Sequence, residues 1–129
     1  KEGDTLPPCW PARCSGGYQW NNRTDDGTFH INYRFGPGAD NGRKDAFRIA
    51  IQDYHHKTCL RFYEHAGSLD FPYIEVKGDA EGCWAHVGMQ RNYPTQINLG
   101  WCKGINHVGP MVHEIGHAIG LSHEQARKD

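Results

Sequence analysis

Apolar and polar positions alternate from Thr28 to Phe35 (TFHINYRF), with Phe29, Ile31, Tyr33 and Phe35 on one side and His30 on the other. A period of two marks a β-strand with one buried face. Gly36 to Gly42 breaks that pattern, and the period then lengthens. Phe47, Ala50 or Ile51, and Tyr54 fall at helical spacing, so a helix is expected from about Arg43 to Lys57, capped by Asp40 or Asn41. Phe71 to Val76 (FPYIEV) reads as a further short strand. The last periodic stretch is helical again. Pro110 suits its first turn, and Val112, Ile115 and Ile119 share one face. His113 and His117 fall on nearly the opposite side. An apolar back and a polar front make a rigid platform for ligands.

A chain of 129 residues supports one domain with a modest core. Its formal net charge of −1 gives no reason to expect a nucleic-acid or membrane partner. No apolar run approaches the length of a membrane span, and there is no signal peptide, so Lys1 reads as a processed or excised beginning. Five cysteines without a CxxC pair favour disulfides and an oxidising compartment. Cys9 and Cys14 bracket WPAR and are near enough to close a small loop, worth about 2 kcal/mol. Asn22-Arg23-Thr24 matches an N-glycosylation sequon, which can be used only where Asn22 lies on a surface loop of a secreted protein.

The chemistry concentrates in HEIGHAIGLSHEQARKD, from His113 to the end. His113 and His117 are four residues apart, so a helix stacks them one turn above each other, where both can reach one Zn²⁺. Gly120 stands where the helix can end in a left-handed turn, which then delivers His123 as a third ligand. Three protein ligands and an open position define catalytic zinc, whereas structural sites are closed by four. Glu114, beside His113, points to another side of the helix. It is read as the general base that takes a proton from water, not as a ligand. The plainer reading is a helix carrying histidines for polar contacts, but the glycine and third histidine at these offsets argue against it. The other histidines lack such spacing. His55 and His56 adjoin and cannot share a face, His107 is surplus to a motif that already supplies three ligands, and His65 and His86 stand alone.

HExxHxxGxxH is the metzincin signature, and the block HAIGLSHEQAR resembles the astacin family of secreted zinc endopeptidases. The resemblance runs from about Trp20 to Asp129. Thr58 to Phe62 (TCLRF) is similar to the family's strand after the first helix, and Gly82-Cys83 with Val87-Gly88 to its GC…VG segment. Gln96 to Leu99 (QINL) is similar to the edge strand, and the INY of Thr28–Phe35 stands where family members have an IPY-type core. The resemblance implies a mixed α/β fold: a small twisted sheet, a backing helix and the active-site helix of a zincin-like N-terminal subdomain. It implies a Cys83–Cys102 disulfide, closing a loop worth about 3 kcal/mol. It pairs Cys59 with a cysteine near the end of the catalytic domain, outside this chain. Glu124, after the third histidine, is expected to meet the new N-terminus released on activation; a solvated carboxylate is the alternative. Glu2-Gly3-Asp4 resembles the end of the pro-segment FxGD motif, with Lys1 in place of phenylalanine, so Asp4 is either an inhibitory zinc ligand or part of an ordinary turn. The Cys9/Cys14 pair is similar to that of fish hatching-enzyme members.

Residues 1–18 are thus a pro-segment remnant or an N-terminal cysteine loop, and residues 19–129 the N-terminal subdomain of an astacin-like catalytic domain. The C-terminal subdomain is absent, with its Met-turn, its zinc-side tyrosine and one wall of the cleft. The function expected is that of a secreted endopeptidase holding one Zn²⁺ and acting on protein or peptide substrates, which pair with the edge strand near Gln96 to Leu99. The competing reading is a truncated module that binds zinc or a partner protein without turnover. Oligomeric state and cleavage specificity are not legible.

Overall fold

The computed structural model describes residues 28–88 and 90–120. Five strands form one sheet: β1 (Phe29–Phe35), β2 (Leu60–Glu64), β3 (Ile74–Lys77), β4 (Trp84–Ala85) and β5 (Thr95–Asn98). Two helices accompany them, α1 (Asn41–Lys57) and α2 (Val108–Ala118), the second entered through a 3₁₀ turn at Ile105–His107. The strand order is β2-β1-β3-β5-β4. The first four run parallel, and β4 pairs antiparallel with β5, Trp84 opposite Asn98 and Ala85 opposite Ile97. This is the expected mixed α/β class.

Both helices lie on one face of the sheet. Ile31 and Tyr33 of β1, Leu60 and Phe62 of β2, Ile74 and Val76 of β3, and Ile97 of β5 are buried there. They meet Phe47, Ala50, Ile51 and Tyr54 of α1 and Met111, Ile115 and Ala118 of α2. Each large aliphatic or phenylalanine side chain among them contributes about 1.5–3 kcal/mol by leaving water. The opposite face carries His30, Asn32, Glu75 and Gln96, as the period of two requires.

Asp40 caps α1 by accepting the Arg43 N–H at 3.1 Å, so the helix opens at Asn41, two residues before the expected start. Its end explains why β2 begins at Leu60 and not at Thr58. The Thr58 hydroxyl donates to the Tyr54 carbonyl at 2.7 Å and accepts the Leu60 N–H at 3.0 Å, so Thr58 serves the helix terminus instead of the ladder. Cys59 is buried beside it, its carbonyl accepting the Phe29 N–H at 2.9 Å.

The edge of the sheet differs from expectation. Residues 96–99 do not form it: β5 is paired on both sides, and the outer strand is the two-residue β4. Two residues are too few to show a period, so the sequence pattern could not reveal β4. Long-range contacts hold it. Cys83 is joined to Cys102 by a disulfide, with Cα atoms 5.9 Å apart. Asn98, wholly buried, donates from Nδ2 to the carbonyls of Ala80 (2.9 Å) and Gly82 (2.7 Å) and accepts the Ala80 N–H at Oδ1 (3.2 Å). The segment leading into β4 is thereby pinned to the sheet.

Candidate metal centre and active site

An eleven-residue helix with two internal glycines is marginal by itself in water. Tertiary burial makes α2 stable: Met111, Ile115 and Ala118 are fully buried, with Ile119 just beyond, and Val112 at the margin is half-buried. The Tyr54 hydroxyl of α1 donates to the Val112 carbonyl at 2.8 Å, fixing the rotation of α2 one residue before His113. A tyrosine closing the apolar face of a helix is the signal that could have revealed this link, since a buried phenol needs a partner. The helix ends as its sequence suggests. Gly120 takes a φ of 96°, and its N–H caps the His117 carbonyl at 2.9 Å.

His113 and His117 stand on the face away from the core, ring centroids 4.4 Å apart and planes at 63°. His113 is exposed, whereas the side chains of Glu114 and His117 are only 12% and 13% exposed. One Glu114 oxygen lies 3.4 Å from His117 Nδ1. This differs from the expectation that Glu114 points to another side. That expectation weighed Glu114 only against the adjacent His113. Against His117 it is an i,i+3 pair, and such pairs face each other across one turn.

One ligand atom from each of His113, Glu114 and His117 falls within 4.8 Å of the others. Zinc–nitrogen bonds of about 2.0–2.1 Å allow two imidazoles at such spacing to share one ion after small side-chain rotations. In a ring whose Nδ1 faces a carboxylate, Nε2 is the lone-pair donor, and outer partners of this kind fix the tautomer of metal-binding histidines. The donor set therefore fits zinc, with imidazoles as ligands and a carboxylate at the rim. His123 and Glu124 lie outside the described residues, as do Asp4, Cys9, Cys14 and Asn22.

None of the other histidines among the described residues joins this group. His55 accepts the Phe62 N–H at 2.9 Å and stacks on the Phe62 ring. Its pKa is lowered by burial and then by the nearby charges of Arg61 and His56. His107 packs edge-on against Trp101, His65 meets Asn32 at 2.9 Å, and His30 leans on the Tyr63 ring. His86 lies in the outer edge of the sheet. Its N–H donates to the Gln96 carbonyl, while its Nδ1, not its own carbonyl, accepts the Gln96 N–H at 3.1 Å.

A helix carrying His113, Glu114 and His117 beneath a mostly parallel sheet with one antiparallel edge is the arrangement of a zincin-type fold. The model of the astacin family (peptidase family M12A) matches residues 19–129, and the chain belongs to that family. Blastula protease 10 from Paracentrotus lividus is 37% identical over 103 residues, covering 77% of this chain and 17% of that protein. High choriolytic enzyme 1 from Oryzias latipes is 29% identical over 136 residues, covering 99% and 46%. The solved structure of that hatching-enzyme zinc-protease superposes with a TM-score of 0.69 at 26% identity, covering 97% of this chain and 57% of the other. Myroilysin, at 19% identity and a TM-score of 0.60, shares the fold. This chain thus spans less than half the length of the two relatives compared by sequence. Enzymes of the family are zinc-dependent.

Proposed function

We propose that residues 19–129 are the N-terminal subdomain of a secreted astacin-like endopeptidase, with residues 1–18 a pro-segment remnant or a cysteine loop. The observation that carries this reading is the His113–Glu114–His117 group on one helix face, followed by the left-handed Gly120 that sequence order places ahead of His123. His113, His117 and His123 hold the metal. Zinc bound there supplies Lewis acidity, which polarises a peptide carbonyl and makes water acidic near neutral pH. Glu114 receives a proton from the attacking water and passes it to the leaving amine as the C–N bond breaks. Its near-burial strengthens that electrostatic role, since charges in a partly dry site act at lower effective dielectric.

An extended peptide aligns along the outer side of β4. Its alternating pattern directs the N–H and C=O of Ala85 away from β5, and main-chain pairing of this kind supplies affinity without dictating side chains. The Cys83–Cys102 disulfide favours an oxidising compartment and supports secretion. Among the described residues no helix is long and apolar enough to cross a membrane.

The test is cleavage of a mixed peptide library by the chain and by its Glu114→Ala variant. Zinc-dependent cleavage that the variant loses, with zinc still bound, supports the reading. Cleavage retained by Glu114→Ala refutes the role of Glu114. Zinc bound without any cleavage favours a non-catalytic zinc-binding module.

A further inference from the structure

We propose that Thr95 is a positioning residue for the zinc ligand His117, acting through Gly88. The inference rests on the reading of His117 as a ligand and concerns what holds it in place.

His117 is one residue from the end of α2, where helix carbonyls lack a partner four residues on. Besides the capping Ile119 N–H, its carbonyl accepts the amides of Gly120 and Gly88, each at 2.9 Å. The first belongs to the helix's own turn. The second comes from the segment after β4 and ties the ligand-bearing turn to the sheet. Gly88 reaches that position with a φ of 80°, a conformation that a side chain rarely adopts.

Thr95 fixes Gly88 in turn. It opens β5, is wholly buried, and is polar. Its N–H donates to the Tyr73 carbonyl at 2.9 Å, which anchors it to the chain ahead of β3. Its hydroxyl donates to the Gly88 carbonyl at 3.2 Å and accepts the Gln90 N–H at 3.0 Å. A hydroxyl removed from water must find such partners, and Thr95 finds both in this one loop. The link therefore runs from the sheet through Thr95 and Gly88 to the backbone of His117. A ligand carried on the last turn of a short helix would otherwise be held only by packing, by its own helix turn and by the Glu114 contact at its Nδ1. Outer partners of metal ligands commonly change affinity by about 10–100-fold when removed.

The test is zinc affinity, by competition with a chromophoric chelator, together with the d–d absorption of the Co²⁺-loaded chain. Thr95→Val keeps the shape and removes the hydroxyl. It is expected to weaken zinc binding at least about tenfold and shift the cobalt band, and Thr95→Ser is expected to restore both. Gly88→Ala perturbs the same link from its other end and should show the same losses. Should Thr95→Val fail to fold by circular dichroism, Gly88→Ala decides with the same two readouts. A parent chain that binds zinc while the folded variants match it overturns this inference alone. A parent chain that takes up no zinc overturns the metal reading and this inference with it.

Discussion

Replacing Asn98 with alanine removes a side chain that is fully buried and makes four hydrogen bonds to the segment ahead of β4, three of them at 3.2 Å or shorter. Each bond of this kind contributes about 1 kcal/mol net, so Asn98→Ala is expected to lose about 3 kcal/mol. Domains of this size have about 5–15 kcal/mol in all, so the loss is large. Urea unfolding followed by circular dichroism reads it directly: with a slope of about 1.5 kcal/mol per molar, the midpoint falls by about 2 M. Asn98→Asp sharpens the argument. It keeps an acceptor for the Ala80 N–H but sets a carboxylate oxygen against the carbonyls of Ala80 and Gly82. At neutral pH it should be at least as unstable as the alanine variant. Burial and the facing carbonyls raise that carboxyl above its ordinary value in the folded state. The folded protein then binds the proton first, so the deficit relative to the parent grows as pH rises through the folded value and shrinks below it. A loss under about 0.5 kcal/mol for Asn98→Ala, or parent-like stability of Asn98→Asp at neutral pH, would refute the reasoning.

Two further outcomes follow from the same structure. Changing Cys83 and Cys102 together to alanine opens a loop of 19-residue separation and should cost about 3 kcal/mol, a drop in Tm of about 10–20 °C; dithiothreitol should lower the parent's Tm by more than it lowers that of the double variant. His55 must be neutral at Nε2 to accept the Phe62 N–H, and its lowered pKa means that the unfolded chain binds its proton more readily. Stability should therefore be fully present above the ordinary histidine value near 6.5 and decline as pH falls through the folded value. Thermal melts across that range should show a shallower decline in His55→Gln, and equal slopes would remove His55 as the cause.

The sequence alone was enough for the long elements and for the spacing of the His113–Glu114–His117 group. Strand β1 and helix α1 were legible because each has one buried face and enough residues to display its period. That group was legible because its spacing is local: four residues separate the two histidines, and Gly120 supplies the turn that its φ of 96° now displays. Tertiary structure decided what depends on partners distant in sequence. Strand β4 has no pattern of its own and exists because Asn98 and the Cys83–Cys102 disulfide hold its approach. The sheet edge consequently moved from residues 96–99 to Trp84–Ala85. Glu114 turned toward His117 because the helix pairs it three residues ahead, a neighbour that weighing it against His113 alone overlooks. Tyr54, Gly88 and Thr95 brace the helix from three other places in the chain, through bonds spanning 58, 29 and 7 residues. Periodicity reports which face of an element is buried. It carries no record of which distant backbone group a buried hydroxyl or amide will meet, because that pairing is fixed only when the layers pack.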